Sequence, residues 1–255
     1  MKILIIGYGI VGKAIGRTMR ALEPCIYDPA LGFSDTFSDK PFDIGFICVP
    51  TDMQKDGSAD TTNVRNAIDQ WSDRCGVLVI KSTVPPGFTS SFLVPGYDVV
   101  MSPEFDGATL DSWNVDSDFV IIGGFGWDAD IVAEAYKKVK PSTFRILVTD
   151  STTAELVKYA ENAFLATKVA FFNEFYRICE SFGVSINAWR ELLLNDPRIG
   201  RSHTMVHKDH PYYDSHCLNK DVPAIISAAK SQGYRPKMLE QVVKSNAAWK
   251  REAKR

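Results

Sequence analysis

Residues 2–6 are almost all apolar and stop at Gly7, the pattern of a short strand buried on both faces. Val11–Leu22 reads as a helix, and Cys25–Tyr27 as a second strand ending at Asp28. Further short apolar runs fall at Ile44–Val49, Val77–Ile80, Val99–Val100, Phe119–Ile122 and Ile146–Val148. Helical stretches lie between several of them, notably Thr61–Arg74 and Asp128–Lys138. Strands alternating with helices predict an α/β fold with a doubly wound, mostly parallel sheet.

The pattern changes at Ser151. From there to Phe182 neither Gly nor Pro interrupts the chain, and Ser151–Glu155 has the hydroxyl-then-carboxylate look of a helix start. A helix of about 30 residues spans about 45 Å, long enough to be a spine between two domains. The remainder reads as helical, ending in a helix near Lys237–Lys250, except for one irregular segment, Asn195–Asp221. The expectation is a Rossmann-type domain over 1–150 and an all-helical domain over 151–255. So apolar a spine in a short chain asks for a partner surface, which makes the second part a dimerisation domain and the protein a homodimer.

Composition narrows the class. A net charge of −2 on 255 residues gives no global attraction to nucleic acid or to anionic membrane. The five cysteines are odd in number, with no C-x-x-C and no zinc spacing, which favours a reducing compartment and no metal. The apolar run Ile3–Ile6 is too short for a secretory segment or a membrane span. A cytoplasmic protein is expected.

Gly7-Tyr8-Gly9-Ile10-Val11-Gly12 is G-x-G-x-x-G, directly after a strand and opening a helix. Gly7 permits the tight turn, Gly9 lets the backbone approach a pyrophosphate, and Gly12 lets helix and strand pack closely. The helix N-terminus offers N–H donors and positive dipole to phosphates. Asp28, closing the second strand, is placed to accept from ribose hydroxyls, and no arginine immediately follows it. The cofactor expected is NAD rather than NADP or FAD.

Cys217 stands in His216-Cys217-Leu218-Asn219-Lys220-Asp221, and Lys158 and Asn162 lie one helical turn apart. A thiol, an acid, a lysine and a redox-cofactor loop suit a dehydrogenase that holds its intermediate covalently. Such an enzyme can carry an alcohol past the aldehyde to the acid, because a thioester can be hydrolysed. Singly, each residue has a plainer reading. Cys217 could be a small core residue, Glu104 a surface acid, and Arg198 a helix cap or partner of Asp196. Lys158 could be a solvated helix lysine, although Leu156, Val157, Tyr159, Ala160 and Ala163 around it favour burial.

Cys48-Val49-Pro50-Thr51, Asp56-Gly57-Ser58-Ala59-Asp60, Ser82-Thr83-Val84-Pro85-Pro86-Gly87 and Ser102-Pro103-Glu104-Phe105 occur in that order. Asn162-Ala163-Phe164-Leu165-Ala166, Phe172-Asn173-Glu174, Asp196-Pro197-Arg198-Ile199-Gly200 and the Cys217–Asp221 segment follow. From Lys2 to about Trp249 the chain resembles the UDP-glucose 6-dehydrogenase type of nucleotide-sugar dehydrogenases. The resemblance implies that Cys217 attacks the C6 aldehyde to give a thiohemiacetal and then a thioester. Lys158 and Asn162 would donate to the oxyanions, and Asp221 would hold or activate water. Thr83 and Glu104 would position water and cofactor, with Glu104 also against the substrate. Lys220 would contact the substrate pocket, and Arg198 would reach across a dimer interface to the substrate. Ile10, Val11, Val49, Pro50, Thr51 and Thr83 would join the glycines and Asp28 against NAD.

The chain departs from that family in three places. Family members continue past the helix here at Lys237–Lys250 into another Rossmann-like domain that holds much of the uridine nucleotide, so a compact form is expected. The glycine-rich loop before the family's cysteine is Tyr212-Tyr213-Asp214-Ser215-His216 here. Side chains there would fill space, and Asp214 would add repulsive charge. The pocket would then be plugged, or reshaped by His203, His207, Lys208, Tyr212 and Tyr213. A second family glutamate is replaced near Ala108, and the proline before the lysine is Asn219. Three readings stay open: oxidation of a nucleotide-sugar C6 alcohol to the carboxylate, a two-electron 3-hydroxyacid-type dehydrogenase, and a non-catalytic NAD-binding remnant.

Overall fold

The computed structural model describes residues 1–34, 37, 41–105 and 117–253. They fall into two compact units, one built from the described residues of 1–54, 59–105 and 117–158, the other from those of 55–58 and 159–253.

The first unit is a seven-stranded sheet. Its strands are β1 (Ile3–Ile6), β2 (Cys25–Tyr27), β3 (Phe42–Ile47), β4 (Cys75–Ile80), β5 (Val99–Met101), β6 (Phe119–Gly123) and β7 (Arg145–Thr149). They lie in the order β2-β1-β3-β4-β5-β6-β7. All neighbours run parallel except β5 and β6, which meet antiparallel at Met101 and Gly123. Helices α1 (Ile10–Thr18), α2 (Thr62–Trp71) and α3 (Trp127–Val139) cover it. The strand alternation sorts the core. Leu4, Ile6, Leu78 and Ile80 point to one face with Val64, Ile68 and Trp71 of α2. Ile3, Ile5, Phe46, Val77 and Val79 point to the other with Ile15 of α1 and Val132 and Tyr136 of α3. Burial on both faces is why the central strands β1, β3 and β4 are nearly continuous apolar runs, each large side chain contributing about 1.5–3 kcal/mol relative to exposure.

Helix α4 (Ser151–Ser181) is one unbroken element of 31 residues. It starts at Ser151, as the sequence reading has it, but the residue that caps it is one earlier. Asp150 accepts from the Thr153 N–H at 2.8 Å and its hydroxyl at 2.6 Å, so the cap is Asp150 and Glu155 is released for another role.

The second unit contains the rest of α4 with α5 (Ile186–Leu193), α6 (His216–Ser231) and α7 (Lys237–Glu252). Ala166 and Ala170 of α4 pack with Leu218 and Val222 of α6 and Val242 and Trp249 of α7. Trp189 of α5 stacks on Phe175 at 4.7 Å between ring centres and meets Phe172 edge-on at 5.6 Å. The irregular segment is shorter than the sequence suggests, because helix resumes at His216. Ser215 caps it through the Leu218 N–H, and Pro223 lies inside it. Among the described residues no helix is long and apolar enough to cross a membrane.

Candidate functional site

The glycine loop sits at the topological switch of the sheet, where β1 lies between β2 and β3. Gly7 has φ +87°, and a Cβ there would come within 2.8 Å of the Cys48 carbonyl oxygen at the end of β3. A Cβ on Gly12 would lie 2.0 Å from the Gly7 carbonyl oxygen, whereas a Cβ on Gly9 would meet nothing within 4 Å. Gly7 and Gly12 are therefore needed by the protein itself, and Gly9 faces open space suited to a ligand. Gly9 caps α1 with no side-chain bond, and the first turn carries no acid, which leaves the helix start to an anion. Asp28 Oδ2 accepts from the Tyr8 N–H at 2.7 Å, so the ribose acceptor also pins the loop. Ile10 is exposed and Val11 half-buried beside it; Val49 is half-buried, Pro50 exposed and Thr51 buried. This cradle fits a dinucleotide.

Three further features of the first unit were not legible in the sequence. Lys81, at the end of β4, is buried and its Nζ lies 3.3 Å from Glu104 Oε2. Burial is the largest influence on the Lys81 charge and opposes it, but the Glu104 carboxylate beside it, together with Tyr136 and Cys48, more than offsets this and raises the lysine above its ordinary value. Lys81 Nζ also donates to the Pro103 carbonyl at 3.3 Å, holding the Pro103-Glu104 turn. Glu104, Lys81 and Phe105 line a small cleft together with Tyr136 and Phe144. Thr83 is half-buried on the loop whose far side, Gly87 and Thr89, is bonded to Glu155 of α4. Lys158 is half-buried rather than buried: Leu156 and Val157 beside it are 45% and 37% exposed, and its Nζ sits 5.2 Å from the Phe105 ring centre.

In the second unit, Asn162 and Asp221 are buried and joined, Nδ2 donating to Oδ2 at 2.6 Å. The other oxygen of Asp221 accepts from Lys220 Nζ at 2.6 Å. Cys217 is exposed at the second position of α6, on the same helix face as Asp221 four residues on. An exposed thiol, a carboxylate held in place and an amide with a second N–H are thus gathered here.

The loop before Cys217 corrects two expectations. Tyr213 does not line a pocket; it is buried in the helical core with Leu218 and Trp249, and burial pushes its hydroxyl up to about 12. Asp214 adds no uncompensated charge, since Lys250 of α7 pairs with it and Asn219 donates to it at 2.9 Å. His207 and His210 stack in parallel at 4.9 Å, with Tyr212 edge-on to His210. Arg198 is 86% exposed in its side chain and bonded to Asp196 through both main chain and guanidinium. Ala108 lies outside the described residues. Among the described residues no group of three or more His, Cys, Asp or Glu is placed to hold a metal ion.

A doubly wound sheet with a glycine cradle at its switch point, followed by a helical unit around a long helix, defines a nucleotide-cofactor dehydrogenase fold. Residues 19–140 match the NAD binding domain of the UDP-glucose/GDP-mannose dehydrogenase family, and residues 152–248 match its central domain. The chain belongs to that family, whose first matched domain assigns NAD as the cofactor. It is 30% identical over 239 residues to UDP-glucose 6-dehydrogenase of Rickettsia prowazekii, covering 88% of this chain and 54% of that protein. With UDP-glucose 6-dehydrogenase of Bacillus subtilis it shares 33% over 242 residues, covering 88% and 51%. The chain therefore spans about half the length of the curated relatives it matches. A UDP-glucose dehydrogenase structure from Pyrobaculum islandicum is similar with a TM-score of 0.75 at 27% identity, over 97% of this chain and 68% of that one.

Proposed function

We propose that the chain oxidises the C6 alcohol of a nucleotide sugar, UDP-glucose or a close analogue, to the carboxylate. Residues 1–150 hold NAD, and residues 151–255 supply the helical, dimerising part with the nucleophile. The observation that carries the reading is the buried Asn162–Asp221 bond, one helical turn from the exposed Cys217. NAD, held by Gly7, Gly9, Gly12 and Asp28, would supply the hydride acceptor for the two oxidations. Cys217 sulfur bonds to the C6 aldehyde carbon while the thiol proton passes to the former carbonyl oxygen, giving a thiohemiacetal that releases that proton to solvent when it is oxidised to the thioester. Lys158 and the remaining Asn162 N–H donate to that oxygen. Asp221, held by Asn162 and Lys220, receives a proton from the water that splits the thioester and so frees the thiol and the acid. Thr83 and Glu104 place water and cofactor, Lys220 meets the substrate, and Arg198 serves a partner's site.

A cytoplasmic homodimer goes with this reading. Val157, Phe164, Phe171 and Ile178 recur every seven residues along α4 and are 37%, 64%, 48% and 38% exposed. A seven-residue apolar repeat on one helix suits packing against a second long helix.

The test is stoichiometry with UDP-glucose and NAD. Two NADH per acid formed, abolished by Cys217→Ser, is the expected result. One NADH with free aldehyde, insensitive to Cys217→Ser, would establish the two-electron chemistry instead. NAD binding without turnover of any UDP-sugar would mark a non-catalytic remnant.

A further inference from the structure

Asn246 lies on α7 and is 5% exposed. Its Oδ1 accepts from the Tyr213 N–H at 2.8 Å, and its Nδ2 donates to the Tyr213 carbonyl at 2.9 Å. One amide side chain thus satisfies both main-chain groups of a single buried residue, as a neighbouring strand would. One turn further along α7, Lys250 pairs with Asp214, which Asn219 ties back to α6. The next residue, Ser215, caps α6. Residues 213, 214 and 215 are each fixed, immediately before the turn that carries Cys217. From the other end, Asn162 holds Asp221.

We infer that Asn246 is a positioning residue for the Cys217 thiol, with Lys250 in support. The inference rests on Cys217 being the nucleophile. The side chains of Tyr213 and Asp214 are what the anchoring uses. The Tyr213 ring is sunk in the core and its main chain is held by Asn246; the Asp214 carboxylate is held by Lys250. A nucleophile tolerates little displacement, about 1 Å being worth about 100-fold in rate.

The test compares the full chain with Asn246→Asp, which keeps the shape but sets a carboxylate oxygen against the Tyr213 carbonyl. Amide hydrogen exchange of residues 218–221 should accelerate at least about tenfold, with exchange in α5 unchanged. Turnover of UDP-glucose should lose at least about tenfold in kcat, with KM for NAD unchanged, because the cofactor cradle belongs to the other unit. Lys250→Met should give the same pattern at about threefold, and Lys250→Arg should restore it. That partly exposed pair decides the matter if Asn246→Asp does not fold. Unchanged exchange at 218–221 in folded variants, or a loss confined to KM for NAD, overturns the proposal. Full turnover by Cys217→Ser would instead remove the nucleophile reading. In that case, or without turnover, exchange alone judges whether Asn246 anchors the turn.

Discussion

Glu155 and Thr89 are joined twice: Oε1 of Glu155 accepts from the Thr89 N–H at 2.8 Å and from its hydroxyl at 2.6 Å. Its other oxygen accepts from the Gly87 N–H at 2.5 Å. A single carboxylate on α4, one turn before Lys158, therefore organises the loop that begins at Thr83.

Glu155→Ala should cost about 3 kcal/mol of unfolding free energy, since it strands buried donors. Burial raises the Glu155 carboxyl above its ordinary 4.5, against the opposing pull of the Thr89 and Gly87 bonds. The folded chain then keeps a proton that the unfolded chain has lost, so this group's contribution falls as pH rises from about 4.5 through the raised folded value. The deficit of Glu155→Gln relative to the unmutated chain should therefore shrink across that window in denaturant titrations. A deficit that is flat or grows with pH would contradict the assignment.

The glycines should separate by phenotype. Gly12→Ala drives a methyl group into the Gly7 carbonyl oxygen and should lower the melting temperature. Gly9→Ala enters open space and should melt normally while weakening NAD at least about tenfold, because the methyl occupies the path of the pyrophosphate. Thermal melts paired with calorimetry distinguish the two. Equal melting losses would mean that Gly9 also serves the fold.

Asp28→Ala removes the ribose acceptor and the tether on Tyr8 together. The affinity for NAD should fall by about 10- to 100-fold, the value of one or two hydrogen bonds to a charged group. Unaltered binding by calorimetry would exclude Asp28 from the cofactor site.

Phe164→Glu puts a charge into the seven-residue stripe of α4. Dimer affinity should drop at least about 30-fold, as for truncation of an interface anchor. Sedimentation velocity across micromolar concentrations reads this directly, and a dimer indifferent to the change would place the interface elsewhere.

The legible parts of this protein are those whose signals are local in sequence. The glycine loop, Asp28 and the strands declare themselves within a few residues, because turn, acid and apolar run are adjacent. The start of β3 was hidden by an exposed Asp43 within it, and the start of α6 by Pro223 and the polar run before it. The family motifs point to Cys217, Asn162 and Asp221 as candidates but not to what holds them. Lys81 with Glu104, Glu155 with Thr89, and Asn246 with Tyr213 are partnerships between residues distant in the chain, each created by burying polar groups together. No spacing rule reports them. The reading of Asp214 as repulsive failed for the same reason, since Lys250 is invisible until α7 is folded beside it.

The Lys81–Glu104 pair sets a condition on how this family can drift. Substituting either residue alone leaves the other's charge in a site with little water, a penalty of about 3–5 kcal/mol. Against a total stability of about 5–15 kcal/mol, few backgrounds survive either single step. A lineage that abandons one must abandon both, through a double change or after a compensating gain in stability elsewhere. Relatives should therefore carry both charges or neither.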